Sequence, residues 1–296
     1  MSHNDPTKRH EFVLLFDVKD GNPNGDPDSG NMPRVDPETM HGLVTDVALK
    51  RKIRDYLHVT KQTSIFIQSE KALNTLIEDA ANEKGAEKAK KTVNKDVQRE
   101  MCRRYYDIRM FGAVLSTGDF NAGQVRGPVQ FTFARSIDPV LPMDVSITRQ
   151  ARTTTDRMET GTTEMGRKPI VPYGLYRAHG YFNPFLAEVT GVSSEDLKDF
   201  WDAVVNLFEL DRSAARGEMS MRGVGVFTHE NKKGNAAAHR LFNLIRVPTV
   251  GTARDFAVYQ VIAPRSGSLG AYGFPGVTLN WLVKPENWVE LAQQKG

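Results

Sequence analysis

The sequence predicts an α+β fold, on three observations. Glu11 to Leu57 reads as a strand, a tight loop and a helix. Ser69 to Tyr106 is helix-forming and densely charged. After it come several short stretches with strand patterning, two of which flank Thr148 to Lys168, a segment too polar to build a core.

In the opening unit, Phe12, Val13, Leu14, Leu15, Phe16 and Val18 form a nearly continuous β-branched and aromatic run. Such a run suits a strand buried on both faces. It stops at Asp20-Gly21-Asn22-Pro23-Asn24-Gly25-Asp26-Pro27, a composition that forces turns and forbids a helix. A helix is expected over roughly Pro37 to His58, with Pro37 and Glu38 suited to its first turn. Leu49, Ile53, Tyr56 and Leu57 share one face of it, and Lys50, Arg51 and Arg54 lie on the adjoining flank. A buried strand therefore delivers a tight loop beside a cationic helix, an arrangement suited to an anionic backbone.

Thr63 to Ile67 is compatible with a short strand. Glu78 to Arg104 is rich in Lys, Glu and Ala, which reads as solvated surface helices or as a second contact surface. Val129 to Ala134 alternates as a half-buried strand does. Thr148 to Lys168 holds seven threonines, Arg149, Arg152, Arg157, Arg167 and Lys168, with Met158 and Met165 its only large apolar residues. It sits between the strand-like Val145 to Thr148 and Ile170 to Tyr181, which fits a protruding β-hairpin or flexible arm; a plain surface loop is the alternative. Val171 to Phe182 reads as a strand that Pro172 confines to an edge or to its first positions. Ser193 or Ser194 caps a helix through Leu210, with Leu197, Phe200, Trp201, Val204, Val205 and Phe208 as its apolar stripe. Arg216 to Phe227 is a glycine-rich approach to a strand, Leu241 to Val247 is expected as another strand, and the tail ends in a short helix containing Trp288. No linker divides residues 1–296, so one domain is expected.

Composition narrows the class only a little. A net charge of +3 is mildly basic, so the position of the cations matters more than their number. The single cysteine, Cys102, excludes an internal disulfide and fits a reducing compartment. No apolar run reaches the roughly 20 residues of a membrane span, and the polar N-terminus lacks a signal-peptide core. A cytoplasmic protein without membrane contact is expected.

Several chemistries can be weighed from the residues. Asp20-x-Asn22-x-Asn24-Gly25 matches half of a calcium loop, but Pro23 intrudes and Asn31 stands where the bidentate glutamate belongs. No metal or other cofactor is expected. No nucleophile motif stands near a histidine, and the histidines lack ligand spacing. Asp17, Asp26, Asp28 and Asp36 lie near the basic helix, which leaves metal-assisted nucleic-acid cleavage open beside the simpler role of turn formation. RNA or DNA binding gathers the most support. Lys19, Arg34, Lys50, Arg51, Arg54, Arg109, Arg149, Arg152 and Arg222 could line one groove and contact phosphates, with methionine or aromatic side chains against the bases.

The run from Leu15 to Pro27 resembles the N-terminal signature of the backbone subunit of type I CRISPR Cascade complexes, closest to type I-C, in the Cas-seven family. Arg109-Met110-Phe111-Gly112, Gly127-Pro128-Val129-Gln130, Ser136-Ile137-Asp138-Pro139 and Pro172-Tyr173-Gly174-Leu175-Tyr176 follow in the family's order across the chain. The resemblance implies an RRM/ferredoxin-like palm, inserted helical fingers at about 69–106 and a β-hairpin thumb at about 148–168. It implies a non-catalytic subunit that polymerises on CRISPR RNA (crRNA) as a helical filament and presents the spacer to target DNA. Its other implied partners are the large, small and crRNA 5′-handle-binding subunits and a recruited helicase-nuclease. Lys50, Arg51 and Arg54 then match the RNA-cradling helix, Arg109 and Met110 an RNA-contacting strand end with Met110 as wedge, Met158 the thumb and Arg222 a further backbone contact. A loop aspartate cleaves RNA in type III relatives, so a metal-dependent ribonuclease is the alternative.

Overall fold

Strand β1, His10–Gly21, carries the rest of the chain on its two faces. Phe12, Leu14, Phe16 and Val18 enter one hydrophobic cluster, while Val13 and Leu15 enter another on the opposite side. Side chains alternate across a strand, so an unbroken apolar run must be covered on both sides. The computed structural model describes residues 2–68, 72–86, 92–117, 119–149 and 164–293.

In chain order the main elements are β1, β2 (His41–Val44), α1 (Asp46–Lys61), α2 (Leu73–Glu83), α3 (Lys95–Arg104), α4 (Tyr106–Phe111) and β3 (Val129–Phe131). There follow β4 (Ala134–Pro139), β5 (Met143–Arg149), β6 (Glu164–Phe182), α5 (Pro184–Thr190), α6 (Ser194–Val205), β7 (Glu218–His229) and α7 (Ala238–Phe242). The last are β8 (Val261–Ala263), β9 (Gly267–Ser268), β10 (Val277–Val283) and β11 (Trp288–Glu290). One large antiparallel sheet runs β9-β10-β7-β1-β6-β4-β2, and β3 and β5 also pair with β6. The fold is thus mixed α and β around a large antiparallel sheet, as the sequence predicts. Among the described residues no helix is long and apolar enough to cross a membrane.

α1 and α6 pack on the face of β1 that holds Phe12 and Phe16, where Leu49, Ile53, Leu57, Leu197, Phe200, Trp201 and Val204 meet. α7 and the segments after it cover the other face with Leu241, Ile245, Phe256 and Tyr259. A third cluster, with Leu76, Ile77, Val97 and Met101, holds α2 and α3 together beside the sheet. These two helices occupy the described parts of the charged stretch expected to be helical.

Several expectations are corrected. α1 begins at Asp46, not Pro37, because the Thr45 hydroxyl accepts from the Ala48 N–H and caps the helix there. Pro37 and Glu38 instead lie in a turn that Asp36 closes by accepting from the Glu38 and Met40 N–H groups. Thr63 to Ile67 is irregular: the Phe66 and Ile67 N–H groups go to the Asp107 carboxylate, not to a strand. Leu241 to Val247 is no strand, since α7 ends at Phe242 and Arg246 makes an isolated bridge to Ile262. Trp288 lies on β11, parallel to β8, not on a helix. Pro172 lies within a central strand. It is tolerated because the facing residue, Asp20, has φ +51° and interrupts the ladder between the Lys19–Tyr173 and Gly21–Val171 pairs.

β5 and the first part of β6 form the two arms of a hairpin, in register from Met143–Ile170 to Arg149–Glu164. The described stretches at the two ends of the expected arm are therefore paired strands, while residues 150–163, with Arg152 and Met158, lie outside the described residues.

Candidate nucleic-acid interface

A groove of about 1040 Å3 opens where the loop after β1 meets the N-terminus of α1 and the base of the β5–β6 hairpin. Asn24 to Met40, Thr45 to Arg51, Phe133, Leu141 and Arg216 contribute its walls. The loop holds its shape through its own amides: Asn22 Nδ2 donates to the Asn31 carbonyl, and Asn24 Oδ1 accepts from the Thr45 N–H. That second bond ties the loop to the cap of α1, so loop and helix terminus form one wall. The terminus of a 16-residue helix brings partial positive charge to the same place.

Three arginines line this groove. Arg51, on the outer face of α1, is open to solvent and pairs with Asp55 one turn on. Arg34 approaches Asp26 at 3.4 Å. Arg216 donates to the Asn22 and Pro23 carbonyls and approaches Asp211 at 3.4 Å. Exposed ion pairs of this kind are weak, so these cations can turn to a phosphate at little cost. Beside them stands Phe133, 52% exposed, with Leu141. Cations alternating with an exposed ring make a surface for a single strand: phosphates on the arginines, a base on the ring.

On the central strands Phe12, Phe16 and Tyr176 are fully buried under helices on one side, while Tyr181 of β6 is 36% exposed and lies outside the groove lining.

The remaining expected contacts scatter. Lys19 is exposed at the end of β1, beside the Gly217 backbone that adjoins Arg216. Lys50 is largely covered and held by Asp46 at 3.0 Å and Gln130 at 3.3 Å. Arg54 is buried and gives its Nε to Asp107 at 2.9 Å, which removes it from the helix's contact surface. Arg109 is on a helix, not a strand end, and its guanidinium grips both Asp196 oxygens at 2.6 and 3.1 Å and the Cys102 carbonyl at 2.7 Å. Met110 is wholly buried in the core, so it is no wedge. Arg222 stands 2.9 Å from Asp17 and over the Phe256 ring, away from the groove lining. Arg149 ends β5, paired through its backbone with Glu164.

Electrostatics follow these pairings. Burial raises the Asp17 carboxyl above its ordinary range, opposed by Arg222 and the Tyr173 hydroxyl. Burial alone would raise Asp196, but Arg109 and the Ser193 N–H outweigh it and hold it low. Arg135 and the Glu38 N–H hold Asp36 low. Asp26 caps the short 27–29 turn through the Asp28 N–H and faces Arg34. Asp17, Asp26 and Asp36 thus each have structural partners.

Arg216 and Phe133 are the groove residues that sequence reasoning passes over. Arg216 precedes Gly217, whose φ of +62° marks a turn that turns the chain toward the β1 loop. Phe133 shares the alternation of Val129 and Phe131 and so reads as core. The ladder breaks between β3 and β4, and that break releases its ring to solvent.

The sequence matches the CRISPR-associated protein Cas7 family over residues 8–263. A Cas7 protein of Haloferax volcanii is 27% identical over 264 residues, covering 81% of this chain and 75% of that protein. Among solved structures, a chain of a pre-nicking CRISPR RNA-guided surveillance complex aligns with 14% identity and a TM-score of 0.49, over 74% of this chain and 78% of that one. A chain of the type III-B Cmr-beta complex bound to cognate target RNA aligns with 13% identity and a TM-score of 0.39, over 74% and 61%. The family match spans most of the sequence, including β1, the loop after it, α1 and the hairpin strands: this chain belongs to the Cas7 family of CRISPR-associated proteins.

Proposed function

We propose that this protein is the non-catalytic crRNA-binding backbone subunit of a type I-C surveillance complex in the cytoplasm, with an RRM-like palm, fingers at α2–α3 and a thumb on the β5–β6 hairpin. Copies polymerise along the spacer and leave its bases free to pair with target DNA, so sequence is read by base pairing while the protein holds the backbone. The large, small and 5′-handle-binding subunits are its other partners, and a separate, recruited helicase-nuclease does the cutting. One observation carries this reading: Arg34, Arg51 and Arg216 converge on one groove at the base of the hairpin, beside an exposed Phe133. The groove touches phosphates and stacks on bases without reading their edges. Lys19 lies next to the Arg216 turn and extends the cationic path.

The test is binding of labelled crRNA across a salt and magnesium series. Replacing Arg34 and Arg51 with Ala should weaken binding about 3- to 10-fold per cation on every RNA sequence, and should flatten the log–log salt slope by about 0.7 for each lost phosphate contact. Unchanged affinity and slope would remove the groove from the interface. Magnesium-dependent fragments that disappear when Asp26 or Asp36 becomes Asn would replace the scaffold reading with a ribonuclease. The partners of these carboxylates favour intact RNA.

A further inference from the structure

We infer that Lys52 and Asp211 together set how much of the Arg216 charge the groove offers to a phosphate. This role rests on the groove as the RNA-binding surface, and Lys52, Asp211 and Arg216 all lie outside the set of contacts that the sequence singles out. Lys52 lies on α1, one residue after Arg51, but points the other way: its side chain is 4% exposed and its ammonium contacts the Asp211 carboxylate, with the Phe208 ring 5.8 Å away. Asp211, on the turn between α6 and β7, is 32% exposed and also faces Arg216 at 3.4 Å. One carboxylate therefore stands between a buried cation behind the groove and an exposed cation in its wall.

The division of that carboxylate follows from burial. A buried ammonium without a counter-charge is costly, so Lys52 claims Asp211 strongly. Arg216 is partly open to water and gains little from the same pair. Its other partners are the Asn22 and Pro23 carbonyls, which fix the direction of the guanidinium without neutralising it. Lys52 thus draws off part of the Asp211 charge, the carbonyls keep Arg216 pointed along the loop, and a phosphate meets a cation that Asp211 compensates only in part. Burial and then the nearby Arg216 push the Lys52 ammonium down to about 7, so Lys52 carries its full charge below that pH; Asp55 on the same helix also acts on it but is already paired with Arg51. Lys52 and Asp211 are positioning residues here, and Arg216 is the group that touches the ligand.

This arrangement gives opposite signs to two neutralising substitutions, which a purely structural ion pair would not. Asp211→Asn removes the competing carboxylate while the carbonyls still orient Arg216, so crRNA should bind about 3- to 10-fold more tightly, with a steeper salt slope. Lys52→Met leaves Asp211 to Arg216 alone, so binding should weaken about 3- to 10-fold with a flatter slope, approaching Arg216→Ala. Lys52→Arg keeps the buried charge and should restore wild-type binding. In the Lys52→Met, Asp211→Asn double variant the tight binding of Asp211→Asn should return. The experiment is a salt titration of full-length protein on one single-stranded RNA, with thermal unfolding recorded for each variant. If Lys52→Met does not fold, Asp211→Asn alone decides the sign. Weaker or unchanged binding by Asp211→Asn, with Arg34→Ala and Arg51→Ala still flattening the slope, overturns this inference and leaves the groove standing. Indifference of every variant, Arg34→Ala and Arg51→Ala included, overturns the groove itself.

Discussion

Arg54 and Asp107 form an ion pair whose side chains are 6% and 1% exposed, with Arg54 Nε 2.9 Å from Asp107 Oδ2. The Phe66 and Ile67 N–H groups donate to the same carboxylate at 2.8 and 3.0 Å, and the Arg54 guanidinium lies over the Phe111 ring. α1, the segment that follows it and α4 are thus joined at one buried point.

Removing one partner strands the other. Asp107→Ala should cost about 3–5 kcal/mol, because an arginine and two amide N–H groups lose their acceptor in the core. Chemical denaturation measures the loss. The protein that remains folded should keep its crRNA salt slope, since Arg54 makes no phosphate contact; a flatter slope would return Arg54 to the interface.

Gly180, on β6, packs directly against β1. It faces Phe12 in the ladder, and a Cβ there would stand 2.0 Å from the Phe12 ring. That ring is fully buried and packs edge-on against Phe131, Phe200 and Trp201. Gly180→Ala should therefore cost at least about 1–3 kcal/mol. Adding Phe12→Leu should recover part of that loss, which would appear as strong non-additivity in a double-mutant cycle.

Acid should loosen the fold through two histidines. Burial pushes both His10 and His179 down to about 4. His179 stacks on Phe242 and accepts from the Arg177 guanidinium, a role only the neutral ring fills. An unfolded histidine titrates near 6.5, so the unfolded chain takes up protons first. The contribution of these groups is full above about pH 6.5 and is lost as pH falls toward 4. The loss should be about 2–3 kcal/mol for His10 and less for His179, whose ring is partly open to water. His179→Gln keeps an acceptor for Arg177 and should flatten the stability profile across that window; an unchanged profile would clear His179.

On β5, Met143, Val145 and Ile147 point to one face and are all exposed. Val145→Asp should change the melting temperature little, because the Val145 side chain is exposed among the described residues. It should reduce the number of protein copies that load on a long crRNA, counted as a ladder in native gels. An unchanged ladder would take this face of the hairpin out of copy-to-copy contact.

Local chemistry wrote much of this protein legibly. The apolar run of β1 required cover on both faces, and two clusters provide it. Ser193 and Asp196 form the capping box that starts α6, and residues 143–149 and 164–170 pair as strands on either side of the polar segment. Each of these depends on neighbours a few residues away or on strict periodicity. The Cas-seven resemblance was legible for the same reason, because its signature lies in contiguous stretches.

Tertiary structure alone decided which cations face solvent. Lys50, Arg51, Lys52 and Arg54 follow one another on α1, yet their partners differ. Arg54 finds Asp107 at a sequence separation of 53, and Lys52 finds Asp211 at 159. Arg109, expected at the interface, finds Asp196 at 87. Arg216 reaches the groove only because its turn packs on the β1 loop, 194 residues earlier in the chain. Periodicity gives the direction of a side chain from its helix. Whether a distant carboxylate waits there depends on chain segments that meet only in the folded protein, and that meeting separates a buried ion pair from a phosphate contact.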